Sequence, residues 1–358
     1  MTVAVLPGDG IGPEVTAEAV RVLHQVRPDV QCIEAPVGAA ALRLGQPPLP
    51  PATDELCKRS DAILFGSVGD AQFDDSFAQR PEAALFALRY NYGLFANLRP
   101  VRVYAGLEKA SSLRRELIEG LDLIVVRELT GGIYFGKPKN RGVDAGGRRW
   151  AVDTMSYDDR EIERIARVAF ELAARRRKRV TSVDKHNILA TSRLWREIVT
   201  EVACDFPDVE LTHLLVDNAS MQLVRRPRDF DVVVTENMFG DILSDEAAIL
   251  SGSIGNLPSA SLSAAPRGRT FGMYEPIGGT APDIAGKGIA NPAGAILSAA
   301  MLLRYSLNDE ASAARIEAAV ERAFASGVRT RDLAGPDDSP VNTREFGDAV
   351  LHYVGVPA

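Results

Sequence analysis

The run Phe230-Asp231-Val232-Val233-Val234-Thr235 is apolar and β-branched and reads as a buried strand. One residue later begins Asn237-Met238-Phe239-Gly240-Asp241-Ile242-Leu243-Ser244-Asp245, which leads into Glu246-Ala247-Ala248-Ile249-Leu250 with helical character. A strand that turns directly into a helix is the repeating unit of an α/β fold. On that helix Asp241 and Asp245 stand four residues apart on one face, where like charges destabilise by roughly a few tenths of a kcal/mol. A divalent cation with oxygen ligands compensates such a pair, and so does solvation of two carboxylates near a helix start.

The same pattern recurs along the chain. Val3-Ala4-Val5-Leu6 and the runs 62–68, 121–126, 180–185 and 211–218 are apolar and of strand length. Helical spacing lies between them, as in Val15, Ala19, Val22, Leu23 and Val26, or Ile162, Ile165, Ala169 and Leu172 within an expected helix over 158–179. Three strands end on polar groups: Lys185-His186-Asn187, Asp217, and the stretch from Asn237. Open α/β sheets place ligand crevices at those carboxyl ends. At 358 residues and 46% hydrophobic content, the chain predicts two domains with sizeable cores.

Other stretches hold candidate chemistry. In Pro7-Gly8-Asp9-Gly10-Ile11-Gly12-Pro13-Glu14 the glycine spacing misses the dinucleotide fingerprint and the P-loop, leaving a tight turn and close backbone approach as the reading. Arg89, Arg99 and Arg127 end apolar or helical segments; their planar forks suit a di-acid ligand or separate surface ion pairs. Tyr134, between glycine-bearing turns, is either a half-buried aromatic or a phenolic acid/base. Residues 142–150 read as a hairpin arm and 69–80 as a mobile loop. From Tyr274 to Pro292 turn formers and apolar residues mix, which suits a loop moulded around a ligand.

Composition narrows the function classes. A net charge of −7 disfavours broad binding to nucleic acid or anionic membrane, and the one basic run, 175–179, reads as a solvated helix end. Cys32, Cys57 and Cys204 lack any Cys-x-x-Cys pair, which argues against a disulfide framework or zinc cluster and fits a reducing cytosol. The four histidines match no metal motif. The N-terminus has no basic region before a long apolar segment, and the apolar stretch 293–303 is too short to span a bilayer. The expectation is a cytoplasmic protein, neither exported nor membrane-inserted.

At four long motifs the chain resembles the β-decarboxylating hydroxyacid dehydrogenases, the isocitrate/isopropylmalate dehydrogenase family. They are residues 6–14, the run Arg127-Glu128-Leu129-Thr130-Gly131-Gly132-Ile133-Tyr134-Phe135-Gly136, residues 237–245 and residues 281–292. The second is similar to the isopropylmalate branch, and the resemblance covers essentially the whole chain. It implies an α/β, two-domain fold that is not a Rossmann fold. Residues 1–100 plus 252–358 would form a cofactor-side domain. Residues 101–251 would form a dimerisation and metal/substrate domain, with a β arm over about 136–155 at the dimer interface.

The resemblance further implies NAD-dependent oxidative decarboxylation of an alkylmalate by a homodimer with shared sites. Arg89, Arg99 and Arg127 would bind the substrate carboxylates, and Leu85 and Phe86 would touch its alkyl side chain. Asp241 and Asp245, with Asp217 from the other subunit, would hold Mg²⁺ or Mn²⁺. Lys185 and Asn187 would also reach across the dimer, with Lys185 and Tyr134 moving protons. Ile11, Glu82, Gly279, Thr280, Ala281, Asp283, Ile284 and Asn291 would contact the cofactor. Asp283-Ile284 stands where NADP-dependent relatives carry Lys-Tyr, so NAD is expected. Three positions depart from the family pattern: Gly278 for a histidine, the loop Gly69-Asp70-Ala71-Gln72-Phe73, and Phe86 for a leucine. The last leaves another 3-substituted malate or tartrate as an alternative substrate, and a non-catalytic regulatory subunit is a further alternative.

Overall fold

The computed structural model describes residues 1–73, 80–264, 270–336 and 338–356. In chain order the first elements are β1 (Thr2–Gly8), α1 (Gly12–Val26), β2 (Gln31–Glu34), α2 (Ala39–Arg43), α3 (Pro51–Arg59), β3 (Ala62–Ser67), α4 (Ala83–Asn91), β4 (Ala96–Arg102) and α5 (Arg115–Ile118). Next come β5 (Asp122–Glu128), the hairpin strands β6 (Asn140–Val143) and β7 (Arg149–Val152), α6 (Asp159–Ala174), β8 (Arg179–Asp184), α7 (Ala190–Ala203), β9 (Glu210–Leu215), α8 (Val216–Arg225), β10 (Val232–Thr235) and α9 (Asn237–Leu250). The chain closes with β11 (Pro258–Leu262), β12 (Gly272–Pro276), α10 (Ala293–Tyr305), α11 (Glu310–Ala325) and α12 (Thr343–Gly355).

Two compact units result. The first comprises residues 1–94, 99–120 and 248–358, and the second 95–98 and 121–247. The expected boundary therefore moves: 101–120 pack with the first unit, because Arg329 reaches the Gly106 carbonyl and a Cβ on Gly252 would meet Ala110. In the first unit β1 pairs in parallel with β2 and β3, β3 with β12, and β12 antiparallel with β11. This order differs from a Rossmann sheet. Helix α10, buried all round from Ala293 to Leu303, packs with α1 and α11, so the long apolar stretch is a core helix.

The second unit is a parallel sheet ordered β5-β10-β8-β9. Helices α6 and α7 pack on one another and on its strands, and α8 packs on β8 and β9. The expected arm contains the antiparallel hairpin β6–β7, with Asn140 opposite Val152. Several expectations change. Helix α6, begun by a capping box of Asp158 and Glu161, ends at Ala174 rather than at 179. Arg176 and Arg177 are drawn away from a solvated helix end to Asp231, whose side chain is fully buried, and Arg176 also pairs with Asp122. Strand β9 stops at Leu215, so Asp217 sits in the first turn of α8 and not on a strand end. Of the loop 69–80, residues Ala71–Phe73 form a 3-10 turn and 74–79 lie outside the described residues. Tyr274, expected in an irregular loop, belongs to β12.

Candidate functional site

Parallel register aligns Arg127 at the end of β5 with Thr235 at the end of β10. Helix α9 begins two residues after Thr235, so its first turns stand beside Arg127. Three residues on one face of α9 then hold that arginine. Asn237 Oδ1 accepts from Arg127 Nε at 3.0 Å and Nη2 at 2.7 Å, and Asp241 Oδ1 accepts from Nη1. Gly240 lies under the aliphatic stem: a Cβ there would sit 2.6 Å from Arg127 Cγ. The i, i+3, i+4 spacing places all three on one face. Arg127, with 3% of its side chain exposed, thereby has the partners a buried cation requires.

Asp241 serves a second donor. Tyr134, on the turn Gly132–Tyr134, donates its hydroxyl to Asp241 Oδ2 at 2.9 Å, and the Arg127 guanidinium lies 5.7 Å from the Tyr134 ring centre. Burial first, and the Asp241 carboxylate second, raise the Tyr134 pKa above its ordinary value and keep it a phenol. The repulsion expected between Asp241 and Asp245 is thus offset at Asp241 by an arginine of the same chain. Asp245 is exposed one turn further along α9.

A separate pair forms from β8 and α8. Lys185 Nζ donates to Asp217 Oδ1 at 2.7 Å, and this bond holds the exposed Asp217 carboxyl below its usual range. Asn187 is exposed beyond Lys185. Among the described residues no three His, Cys, Asp or Glu side chains come together at metal-binding distance, so Asp217 does not join Asp241 and Asp245 within the chain. The donor chemistry of Asp241 and Asp245 nevertheless fits a hard cation, since carboxylate oxygens suit Mg²⁺ and Mn²⁺.

In the first unit the β1–α1 turn is tied to the stretch 279–291. Ile11 N donates to the Thr280 carbonyl at 2.9 Å, and a Cβ on Gly10 would fall 2.0 Å from that oxygen, so only glycine fits. Asp9, buried beneath, accepts from the backbone N–H groups of Ala39, Ala40 and Gly69. Gly279, Gly286 and Gly288 have open space where a side chain would stand, Ala281 adopts φ 40°, and Asp283 is exposed beside half-buried Ile284. Asn291 is positioned differently from the expectation of a free contact residue. Its Nδ2 donates to Asn256 and Asp332, and its Oδ1 accepts from Ala293 N.

One face of α4 carries the remaining candidates of this unit. Glu82 is the N-cap, and Leu85, Phe86 and Arg89 follow at helical spacing, with Leu85 and Phe86 half-buried. Arg89 is buried and pairs with Glu275 at 3.1 Å, while among the described residues its Nε has no partner and the buried Glu82 Oε2 has none either. A buried donor and a buried acceptor left open are the features of a site that fits a ligand with a carboxylate and a cofactor with an amide. Arg99 is buried as well, so none of the three arginines is a plain surface ion pair.

Sequence reasoning passed over Asn237, Gly240, Glu275 and Asp332. The spacing of Asn237, Gly240 and Asp241 was a usable signal; the pairing of Arg89 with Glu275, 186 positions away, had none.

Comparison with known proteins agrees over the full length. Residues 2–350 match the family model described as isocitrate/isopropylmalate dehydrogenase. The chain is 57% identical over 354 residues to the 3-isopropylmalate dehydrogenase of Bordetella avium (strain 197N), covering 98% of both chains. It is 56% identical over 356 residues to that of Albidiferax ferrireducens, covering 98% of this chain and 99% of the relative. The crystal structure of isocitrate dehydrogenase from Methylococcus capsulatus superposes with a TM-score of 0.87 at 35% identity, covering 99% of each chain. On these likenesses the chain belongs to the isocitrate/isopropylmalate dehydrogenase family.

Proposed function

We propose that this protein is a cytoplasmic, homodimeric, NAD-dependent dehydrogenase that converts 3-isopropylmalate to 4-methyl-2-oxopentanoate and CO₂ in leucine biosynthesis. The observation that carries this reading is the hydrogen-bonded grouping of Arg127, Tyr134 and Asp241 at the head of α9. Relatives named 3-isopropylmalate dehydrogenase, at 55–57% identity, support the substrate. Asp241 and Asp245 hold Mg²⁺ or Mn²⁺ together with Asp217 of the partner subunit. When bound, the cation supplies Lewis acidity at the substrate's 2-hydroxyl.

The chain's own groups do the rest. Arg89, Arg99 and Arg127 are the carboxylate-binding residues; a guanidinium fork matches a carboxylate bidentately. Lys185 of the partner subunit, with Asn187 and Asp217 beside it, would take the hydroxyl proton as C2 gives up its hydride, for which NAD⁺ would be the acceptor. Tyr134, kept neutral, returns a proton to the carbon that loses CO₂. Ile11, Glu82 and the stretch from Gly279 through Asn291 bind NAD, with Asp283 accepting from a ribose hydroxyl and repelling a 2′-phosphate. Asn291 acts through its backbone, because its side chain is engaged by Asn256, Asp332 and Ala293. Met221 and Val224 on α8 and Ile242 on α9 are exposed, which supports pairing with a second copy through these helices.

Phe86 favours a second reading of the substrate's alkyl group. It stands half-buried beside Leu85, where a ring in place of a branched chain reshapes an apolar pocket; such changes are worth about 1–3 kcal/mol in discrimination. Another 3-substituted malate is then the preferred substrate. The test is NAD⁺ reduction coupled to CO₂ release from 3-isopropylmalate, with and without EDTA. Cation-dependent turnover is expected, and a folded, cation-loaded dimer inert toward every alkylmalate contradicts the proposal.

A further inference from the structure

Asn237 is fully buried at the first position of α9, and its amide oxygen, its amide nitrogen and its backbone N–H are all hydrogen-bonded. Its Oδ1 takes two N–H groups of Arg127, its Nδ2 donates to the Gly131 carbonyl at 3.1 Å, and its backbone N–H donates to the Tyr157 hydroxyl at 3.0 Å. Gly131 opens the turn that carries Tyr134 three residues later, and that turn is otherwise fixed by Glu128 Oε2 on Gly131 N and by Ser156 O on Gly132 N. One amide therefore connects the arginine at the end of β5, the tyrosine-bearing turn and the helix that presents Asp241.

We propose that Asn237 is a positioning residue with two separable duties: its carbonyl oxygen aims Arg127, and its amide NH₂ sets the turn that aims Tyr134 at Asp241. This rests on the reading of Arg127 as substrate-binding and Tyr134 as a proton donor. An asparagine is suited to the position because it offers an acceptor to the arginine and a donor to the carbonyl at once, which neither aspartate nor leucine does. A carboxamide here is also neutral, so it satisfies Arg127 without adding a third charge to the guanidinium and Asp241.

The two duties predict different kinetic signatures. Asn237→Asp keeps the acceptor for Arg127 but turns an oxygen toward the Gly131 carbonyl. It is expected to lower kcat about 10-fold or more with KM for 3-isopropylmalate changed less than about 3-fold. Asn237→Ala removes both contacts and is expected to raise KM as well. In a Tyr134→Phe background Asn237→Asp should cause less than about a 2-fold further loss of kcat, because its effect passes through Tyr134. Losses that multiply in the double variant, or a loss carried by KM alone, overturn the proposal. If Asn237→Asp does not fold, Asn237→Ala decides it: in the Tyr134→Phe background its remaining effect must fall on KM, and a further fall in kcat overturns the proposal. Failure of the underlying reading looks different, since wild-type protein inert toward 3-isopropylmalate removes both claims before any variant is compared.

Discussion

Glu236 shows how burial sets both charge and geometry one residue before α9. Its side chain accepts from Met238 N and Phe239 N, which lack helical partners at the helix start. Burial pushes its carboxyl above the usual range, against the lowering effect of those two hydrogen bonds. A raised folded-state value means the stabilising contribution is complete below the ordinary carboxylate pKa of 4.5 and is lost as pH rises through the folded value. The Tm advantage of wild type over Glu236→Gln should therefore be larger at pH 5 than at pH 8. An advantage that is equal or larger at pH 8 contradicts this assignment. At Asp241 the expectation is chemical: Asp241→Asn should abolish cation-supported turnover while circular dichroism and dimer mass stay unchanged. At this scale residue types were legible in the sequence, as with Asp241, Lys185 and Tyr134, but partners were not. Nothing local says that Arg127 rather than a cation meets Asp241, because the contact spans 114 positions.

The element that organises the second unit is α9. Its Asn237, Gly240 and Asp241 form a recess for Arg127, closed at the ends by hydrogen bonds and along the stem by the missing side chain of Gly240. Gly240→Ala would place a methyl 2.6–2.8 Å from the arginine's Cγ and Cβ, and Arg127 is held at its guanidinium, so the stem has little room to yield. Overpacking of this kind destabilises by about 1–3 kcal/mol, and the displaced guanidinium should raise KM for the alkylmalate. Thermal unfolding and steady-state kinetics check the two parts; wild-type KM with an unshifted Tm contradicts them. Element identities followed from helical periodicity for α1 and from continuous apolar runs for α10 and β10. Element ends were harder: the helix expected over 158–179 included the basic run 175–179, whereas α6 ends at Ala174 and Asp231 captures the arginines that follow. The strand reading of 211–218 also overran, because Val216, a residue type favoured in strands, here opens α8.

Across the whole chain, alternating strands and helices made an α/β fold legible, and length with apolar content made two domains so. The assignment of 101–120 to the first unit was not, because it depends on contacts with segments more than 140 positions away, such as that of Arg329 with Gly106. Family membership, once the long motifs are recognised, supplies the reaction class; the arrangement around Arg127 is where the proposed function places its residue-level basis. In the proposed reading substrate choice lies with α4, where Leu85 and Phe86 offer a half-buried apolar surface. The most direct measurement is kcat/KM for 3-isopropylmalate, isocitrate, tartrate and longer 3-alkylmalates, each with NAD⁺ and NADP⁺. The account predicts that an apolar 3-alkylmalate with NAD⁺ is best, with isocitrate and NADP⁺ both strongly disfavoured; a preference for isocitrate or for NADP⁺ would contradict it.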